Sequence, residues 1–266
     1  MTTLTQPAPV TGSQGAQSIP MSRLIRVELR KLVDTRAGFW VAASVALIAA
    51  IVAVAMLISN RNDPSALTFG QFFTTMNIPT GIILPVMSIL LVTSEWGQRT
   101  ALTTFTMEPR RERIVIAKLV TAVIAAIAAV VVSLMLAAVA TVVAGIAFAN
   151  TDGSWSFGAA SLVNSVTLQL FGMLLGFAFA ALILNTPGAI VAYFALPTAF
   201  AIVTQLVPWF SDHLGQWVDI GLTNAPFQSG DWASGGEWAK LIVSGVIWIG
   251  IPMVVGVTRI VRSEVK

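Results

Sequence analysis

Between Asp152 and Asp212 the chain runs for 59 residues, 153–211, without a single Asp, Glu, Lys or Arg. No water-facing surface can be built from such a run. A soluble domain carries about 25% charged residues, whereas this chain of 266 residues carries 10%, with 56% hydrophobic residues and a mean hydropathy of +0.84. About 20 apolar residues already cross a bilayer, so the run must fold back on itself. Its residues are apolar on every face rather than alternating, which excludes an outer-membrane barrel. The expected fold is an all-α integral membrane protein with several spans.

Charged residues bound the spans. Six are expected, near 38–59, 72–94, 119–149, 157–184, 189–207 and 241–258. The second contains Pro79 and Pro85, and the third is long enough to tilt or project. Asn185-Thr186-Pro187-Gly188 is the turn signal that divides the long apolar run. Gly172-x-x-x-Gly176 in the fourth span permits close helix approach.

Six spans place both termini on one side. Thirteen of the fifteen basic residues fall on that side, in segments 23–36, 99–118 and 259–266, and only Arg61 and Lys240 fall on the other. With six acids on each side, the first has a net charge of +7 and the second −4, which together make the +3 of the chain. The positive-inside rule then makes both termini cytoplasmic. The basic pI near 9.8 is a topology signal, and nucleic acid is dropped as a partner. Trp40 and Trp96 at the inner boundary, and Trp155, Trp209 and Trp238 at the outer one, agree with this placement.

Several chemistries are excluded. The chain has no cysteine, one histidine (His213) and four lysines, none of which closes a G-x-x-x-x-G-K-[ST] loop. It is therefore expected to be no enzyme itself, to hold no metal, and to have no ATP-binding loop. His213 is expected to be a solvated interfacial residue. The candidates for a polar path inside the spans are Asn77, Asn164, Gln169, Tyr193 and Gln205. No Asp, Glu, Lys or Arg lies mid-span, which counts against an ion-coupled carrier.

The segments outside the spans carry the remaining signals. Residues 1–20 read as a disordered tail without the basic start and apolar core of a signal peptide, and Met21 is a candidate second start. From Ser22 the chain is amphipathic: Ile25, Leu29, Leu32 and Val33 share one helical face and Arg23, Arg26 and Arg30 the opposite one. Such a helix lies on the membrane surface, in contact with lipid. The loop Glu95–Lys118 holds five basic and three acidic residues, with a short helix expected at Thr100–Met107. Its charge density favours a docking surface over mere anchoring. Beyond the fifth span, residues 208–236 mix aromatics with acids, and a short helix is expected after Asp212 as its N-cap.

A basic amphipathic helix leading into six spans, with a loop containing Glu95, Thr100, Thr103, Thr104, Pro109, Arg110, Arg111, Arg113 and Lys118, resembles the permease subunit of bacterial type-2 ATP-binding-cassette (ABC-2) transporters. The resemblance covers residues 21–266 in topology, and its specific motif is confined to that loop. It implies a multi-pass protein of the bacterial inner membrane that works with a separate cytoplasmic ATPase subunit, which binds ATP and Mg²⁺, so that no cofactor sits in this chain. It implies a second permease chain, with a homodimer favoured and a heterodimer open. Coupling to the ATPase would fall to Arg26, Arg30, Glu95, Arg99, Thr100, Thr103, Pro109, Arg110, Arg111 and Arg113. The family's path, between its first, second and fifth spans, points to Phe73, Asn77, Tyr193, Phe200 and Gln205. Residues 208–236 resemble the family's outer hairpin, a lid on the exit.

An apolar, charge-free path suits export of a hydrophobic or amphipathic cargo, such as a drug, an antimicrobial peptide or a lipid. The competing expectation is a non-transporting assembly factor or sensor that docks a cytoplasmic partner through the same loop. An intramembrane enzyme lacks any His, Cys or paired-carboxylate constellation in the spans.

Overall fold

The computed structural model describes residues 19–34, 36–97, 110–148 and 155–262. About 90% of the structure is helical, with no strand among the described residues. Helix α1 (Met21–Asp34) is followed by α2 (Arg36–Ser59), α3 (Phe69–Gly97), α4 (Arg111–Phe148), α5 (Ala159–Ile183), α6 (Thr186–Leu206) and α7 (Gly235–Arg262). From Gly38 onward, the last six of these are long and apolar enough to cross a membrane. The protein is multi-pass.

Helix α5 is the centre of the bundle, packing on α3, α4, α6 and α7. Its glycines explain how. A Cβ on Gly176 would lie 2.6 Å from the Pro85 carbonyl oxygen of α3, and one on Gly172 would lie 3.3 Å from the Pro85 ring. On another side, a Cβ on Gly256 of α7 would lie 2.6 Å from the backbone of Ala181 and Leu182. Backbone therefore meets backbone on two flanks of α5. The small-residue spacing at 172 and 176 serves packing within the chain, as such spacing commonly does.

Helix α3 stays helical through Pro79 and Pro85. Proline removes a backbone donor and frees the carbonyl four residues earlier. Here Thr74, Asn77 and Thr80 donate back to the carbonyls of Gly70, Phe73 and Met76, keeping polar side chains satisfied within their own helix. Asn185 caps α6, its side chain accepting from the Gly188 amide at 2.9 Å, and Leu184 before it takes the left-handed conformation at φ 56°. The expected turn at 185–188 thus ends α5 and starts α6.

Several boundaries differ from expectation, and α7 runs from Gly235 to Arg262 where a span near 241–258 was expected. Helix α4 begins at Arg111 rather than near 119, and α3 runs on to Gly97, so both helices extend into the segment read as a loop. Ile114, Val115 and Ala117 are buried on the added turns, so this stretch packs rather than merely connecting. Residues 98–109, including the short helix expected at Thr100–Met107, lie outside the described residues. The tail expected at 1–20 is outside them as well, except for Ile19 and Pro20.

Beyond α6 the chain makes a string of short turns. Pro208 starts the first at once, and Ser211–Gly215 continues as a π-helical turn. Asp212 therefore sits inside helical backbone and caps nothing. The capping residue is Asp219, which is buried and accepts from the amides of Gly221 and Leu222 at 2.7 and 3.2 Å. Replacing Asp219 by Ala strands both donors and is expected to destabilise by about 1–2 kcal/mol. Asp219→Asn keeps the acceptor and stays near wild type, as thermal unfolding of the detergent-solubilised protein would register. Equal loss in both variants would mean that the carboxylate has some other role.

Candidate functional site

Four charges, three of them buried and Lys31 half-buried, gather where α1 meets the end of α3 and the start of α4. Glu28 on α1 is 4% exposed, Glu95 on α3 7% and Lys118 on α4 5%. Lys31 Nζ lies 2.6 Å from Glu28 Oε1 and 2.6 Å from Glu95 Oε1. Lys118 Nζ lies 2.8 Å from Glu28 Oε2 and 3.3 Å from Glu95 Oε1, and donates to the Leu91 carbonyl at 2.8 Å. The two ammonium groups balance the two carboxylates. That neutrality is what makes the burial tolerable, because a lone charge in such a place carries a heavy desolvation penalty. Val92, Trp96, Ile114, Val115, Phe177 and Ile260 wall it in beside Glu95 and Lys118.

Burial alone would lower the pKa of Lys31, but the Glu28 and Glu95 carboxylates outweigh it and hold the group above the ordinary 10.5. Its contribution to stability is therefore fully present below about 10.5 and lost only as pH rises through the higher folded-state value. Lys31 keeps its charge throughout the physiological range.

Arginines clasp neighbouring helix ends around this cluster. Arg111 Nη1 donates to the Ile260 carbonyl at 3.1 Å, Arg259 Nη1 to the Leu182 carbonyl at 2.7 Å, and Arg113 to the Ile19 carbonyl. The last-turn carbonyls of a helix lack partners within it. These contacts bind α1, α4, α5 and α7 together at one end of the bundle.

The residues expected to couple to a partner therefore divide. Glu95, Arg111 and Arg113 are engaged inside the fold. Arg26, Arg30 and Arg110 are exposed, with Arg30 in a loose 3.7 Å pair with Asp34 that contributes little. Arg99, Thr100, Thr103, Thr104 and Pro109 lie outside the described residues. Glu28 and Lys31 were not expected at the site. Their signal is that Glu28 stands between Leu24, Ile25 and Leu32 on the apolar face of α1, where an acid needs a partner.

Toward the opposite end, α3, α5, α6 and the short turns after α6 enclose a cavity of about 500 Å³. Asn77 and Tyr193 line it, together with Gln169, whose Nε2 lies 3.2 Å from both the backbone oxygen and Oδ1 of Asn77. The other residues expected on a path are elsewhere. Phe73 is fully buried, edge-on to Phe157 at 5.2 Å. Phe200 packs between Phe210 and Trp248, and Gln205 is exposed. Trp248, at a π-helical turn of α7, donates from Nε1 to the Val218 carbonyl at 2.7 Å and so ties α7 to the cavity's cover. Asn164 of α5 adds a second tie, donating to the carbonyls of Ser229 and Asp231. His213 is exposed and stacked on Trp209, and no group of three or more potential metal ligands occurs among the described residues.

Comparison of the chain with models of known protein families finds no match, and neither does comparison with curated proteins.

Proposed function

We propose that this chain is the permease subunit of an ABC-2-type exporter, coupled to a separate cytoplasmic ATPase. The observation that carries the reading is the Glu28–Lys31–Glu95–Lys118 cluster. It fastens the basic helix α1 to the two helices that flank residues 98–109, a segment that holds four of the nine motif residues. A push on that end moves α1, α3 and α4 as one body, which is what a transmitter of ATPase closure requires.

In this reading both termini are cytoplasmic and α1 lies along the inner leaflet of a bacterial inner membrane. Exposed Arg26, Arg30 and Arg110 meet the acidic surface of an ATPase, and Glu95, Arg111 and Arg113 hold the transmitter rigid. ATP and Mg²⁺ stay on the partner. The uncovered apolar faces of α2 and α6 contact lipid and a second permease chain, with two copies of this chain favoured. The cavity bounded by α3, α5 and α6 belongs to the pathway, its cover acts as the exit lid, and an amphipathic cargo moves outward.

The test is to purify the tagged chain from its native membranes in mild detergent and assay ATP hydrolysis. Wild type should bring an ATPase with it, and the Arg26→Glu, Arg110→Glu double variant should lose at least tenfold of that activity while keeping its elution volume. Because both side chains are exposed, the fold is not at stake. Absence of ATPase from a wild-type preparation that retains its oligomer would refute the assignment.

A further inference from the structure

The cavity between α3, α5 and α6 has a chemistry that narrows what can occupy it. Of its nineteen lining residues eleven carry amide or hydroxyl side chains and none is charged. Uncharged polar groups at membrane depth are costly unless they find partners. Gln169 is 3% exposed, spends its Nε2 on Asn77, and leaves its Oε1 without a partner. Asn224, at the cover, has an unpartnered Oδ1 as well. Leucines at these positions would pack against hydrocarbon without any such penalty, so the polar wall points to a ligand that hydrogen-bonds to it.

Shape and depth add to this. The volume of about 500 Å³ suits a small-molecule site, for which ~300–1,000 Å³ is usual. Leu175, at the deep end, lies about 24 Å along α5 from its first residue at 1.5 Å per residue. A second hollow of about 400 Å³ shares Gln71, Thr74, Ser161 and Gln228 with the first and is bounded by Gly158 and Asp231. Asp231 is thus the charge met at the mouth, and it repels an anion. Inside there is no carboxylate to hold a cation. On the remaining side Ile78, nine residues into the membrane-length helix α3, is 65% exposed, so the cavity opens sideways between helices.

We propose that this cavity binds the uncharged, hydroxyl-rich head group of an amphiphile, whose hydrocarbon chain leaves past Ile78. Amides and hydroxyls each donate and accept, which matches vicinal hydroxyls. Phe171, Tyr193 and Phe227 add aromatic surface to the lining, suited to the apolar face of a sugar-like ring. The binding statement needs no partner subunit. That the exported cargo bears this head group rests on the permease reading.

The experiment places the full chain in nanodiscs, without ATP or ATPase, and photolabels it with dodecyl maltoside carrying a diazirine in its alkyl chain. A probe with the same chain on a sulfate head is the charged comparison. Labelling by the maltoside probe should be saturable, displaced by unlabelled dodecyl maltoside, and concentrated in peptides from α3 and α5. It should exceed that by the sulfate probe about tenfold. Gln169→Leu removes the deep polar contact, and Gly81→Leu fills the cavity from a position where a Cβ meets nothing closer than 3.8 Å. Each should lower labelling about tenfold with the unfolding midpoint unchanged. Equal labelling by both heads, or full labelling of both variants, would overturn the proposal and leave a water-filled hollow. A transport failure with intact labelling would instead count against the permease reading.

Discussion

Lys118→Met is expected to destabilise the protein by about 3–5 kcal/mol, the usual consequence of removing one partner from a buried ion pair. Lys118 is 5% exposed and touches both carboxylates and the Leu91 carbonyl. Without it, Glu28 and Glu95 face each other with Lys31 alone between them, and one negative charge is stranded among Val92, Ile114 and Phe177. Adding Glu28→Gln should recover much of the loss, because Lys31 and Glu95 then form a neutral pair. The measurement is the thermal unfolding midpoint in detergent for wild type, both single variants and the double variant. A positive coupling of at least 1 kcal/mol between positions 28 and 118 is expected for groups in one ionic network. Should Lys118→Met unfold within about half a kcal/mol of wild type, the typical range for exposed positions, the cluster is not buried. Under the permease function proposed above, the double variant, with α1 loosened from α4, is expected to leave the partner's ATP hydrolysis intact while export is lost.

What could be foreseen in the sequence depended on range. The six spans were visible because hydrocarbon excludes charge, and the charge-free run 37–60 contains the observed Gly38–Ser59 stretch. The start of α4 was misplaced by the same logic. Arg111, Glu112, Arg113 and Lys118 looked like solvated loop, whereas Lys118 is neutralised by Glu28, ninety residues away in the chain. No local spacing reveals a partner at that distance. The acid on the apolar face of α1 was the one readable hint of it. Asp212 and Asp219 are a second instance. Both precede an apolar helical pattern, but Pro208 launches the helical backbone early and leaves Asp219 as the residue with extended backbone and two free amides. Of the residues expected on the path, Asn77 and Tyr193 line the cavity because polar side chains in a span seek a polar neighbour. Phe73 and Phe200, chosen by position in their helices, satisfy themselves against other aromatics.

The glycines of α5 and α7 predict the other large effect. Gly176→Ala should destabilise by about 2–3 kcal/mol, at the upper end of what overpacking usually does, and Gly176→Leu should prevent folding. A Cβ there would be 2.6 Å from the Pro85 oxygen and 3.2 Å from its Cα and carbonyl carbon. All three are backbone, so no rotamer change relieves the clash and α3 must move away. Gly256→Ala should behave alike, since its Cβ would meet the Ala181 carbonyl carbon and the Leu182 nitrogen at 2.6 Å. Gly172→Ala meets the Pro85 ring at 3.3 Å and otherwise only the Gly81 oxygen and Tyr193 hydroxyl at an ordinary 3.8 Å, and should lose less than about 1 kcal/mol, the volume of one methyl against a yielding neighbour. Gly145, on α4, has nothing within 4 Å of its would-be Cβ. There alanine should be neutral or gain up to about 1 kcal/mol from helix propensity alone. The order 176 and 256, then 172, then 145 is what distance to backbone demands, and unfolding midpoints of the four alanine variants would read it directly. If Gly176→Ala proves as benign as Gly145→Ala, α3 and α5 do not approach as closely as described, and the cavity between them would have to be redrawn.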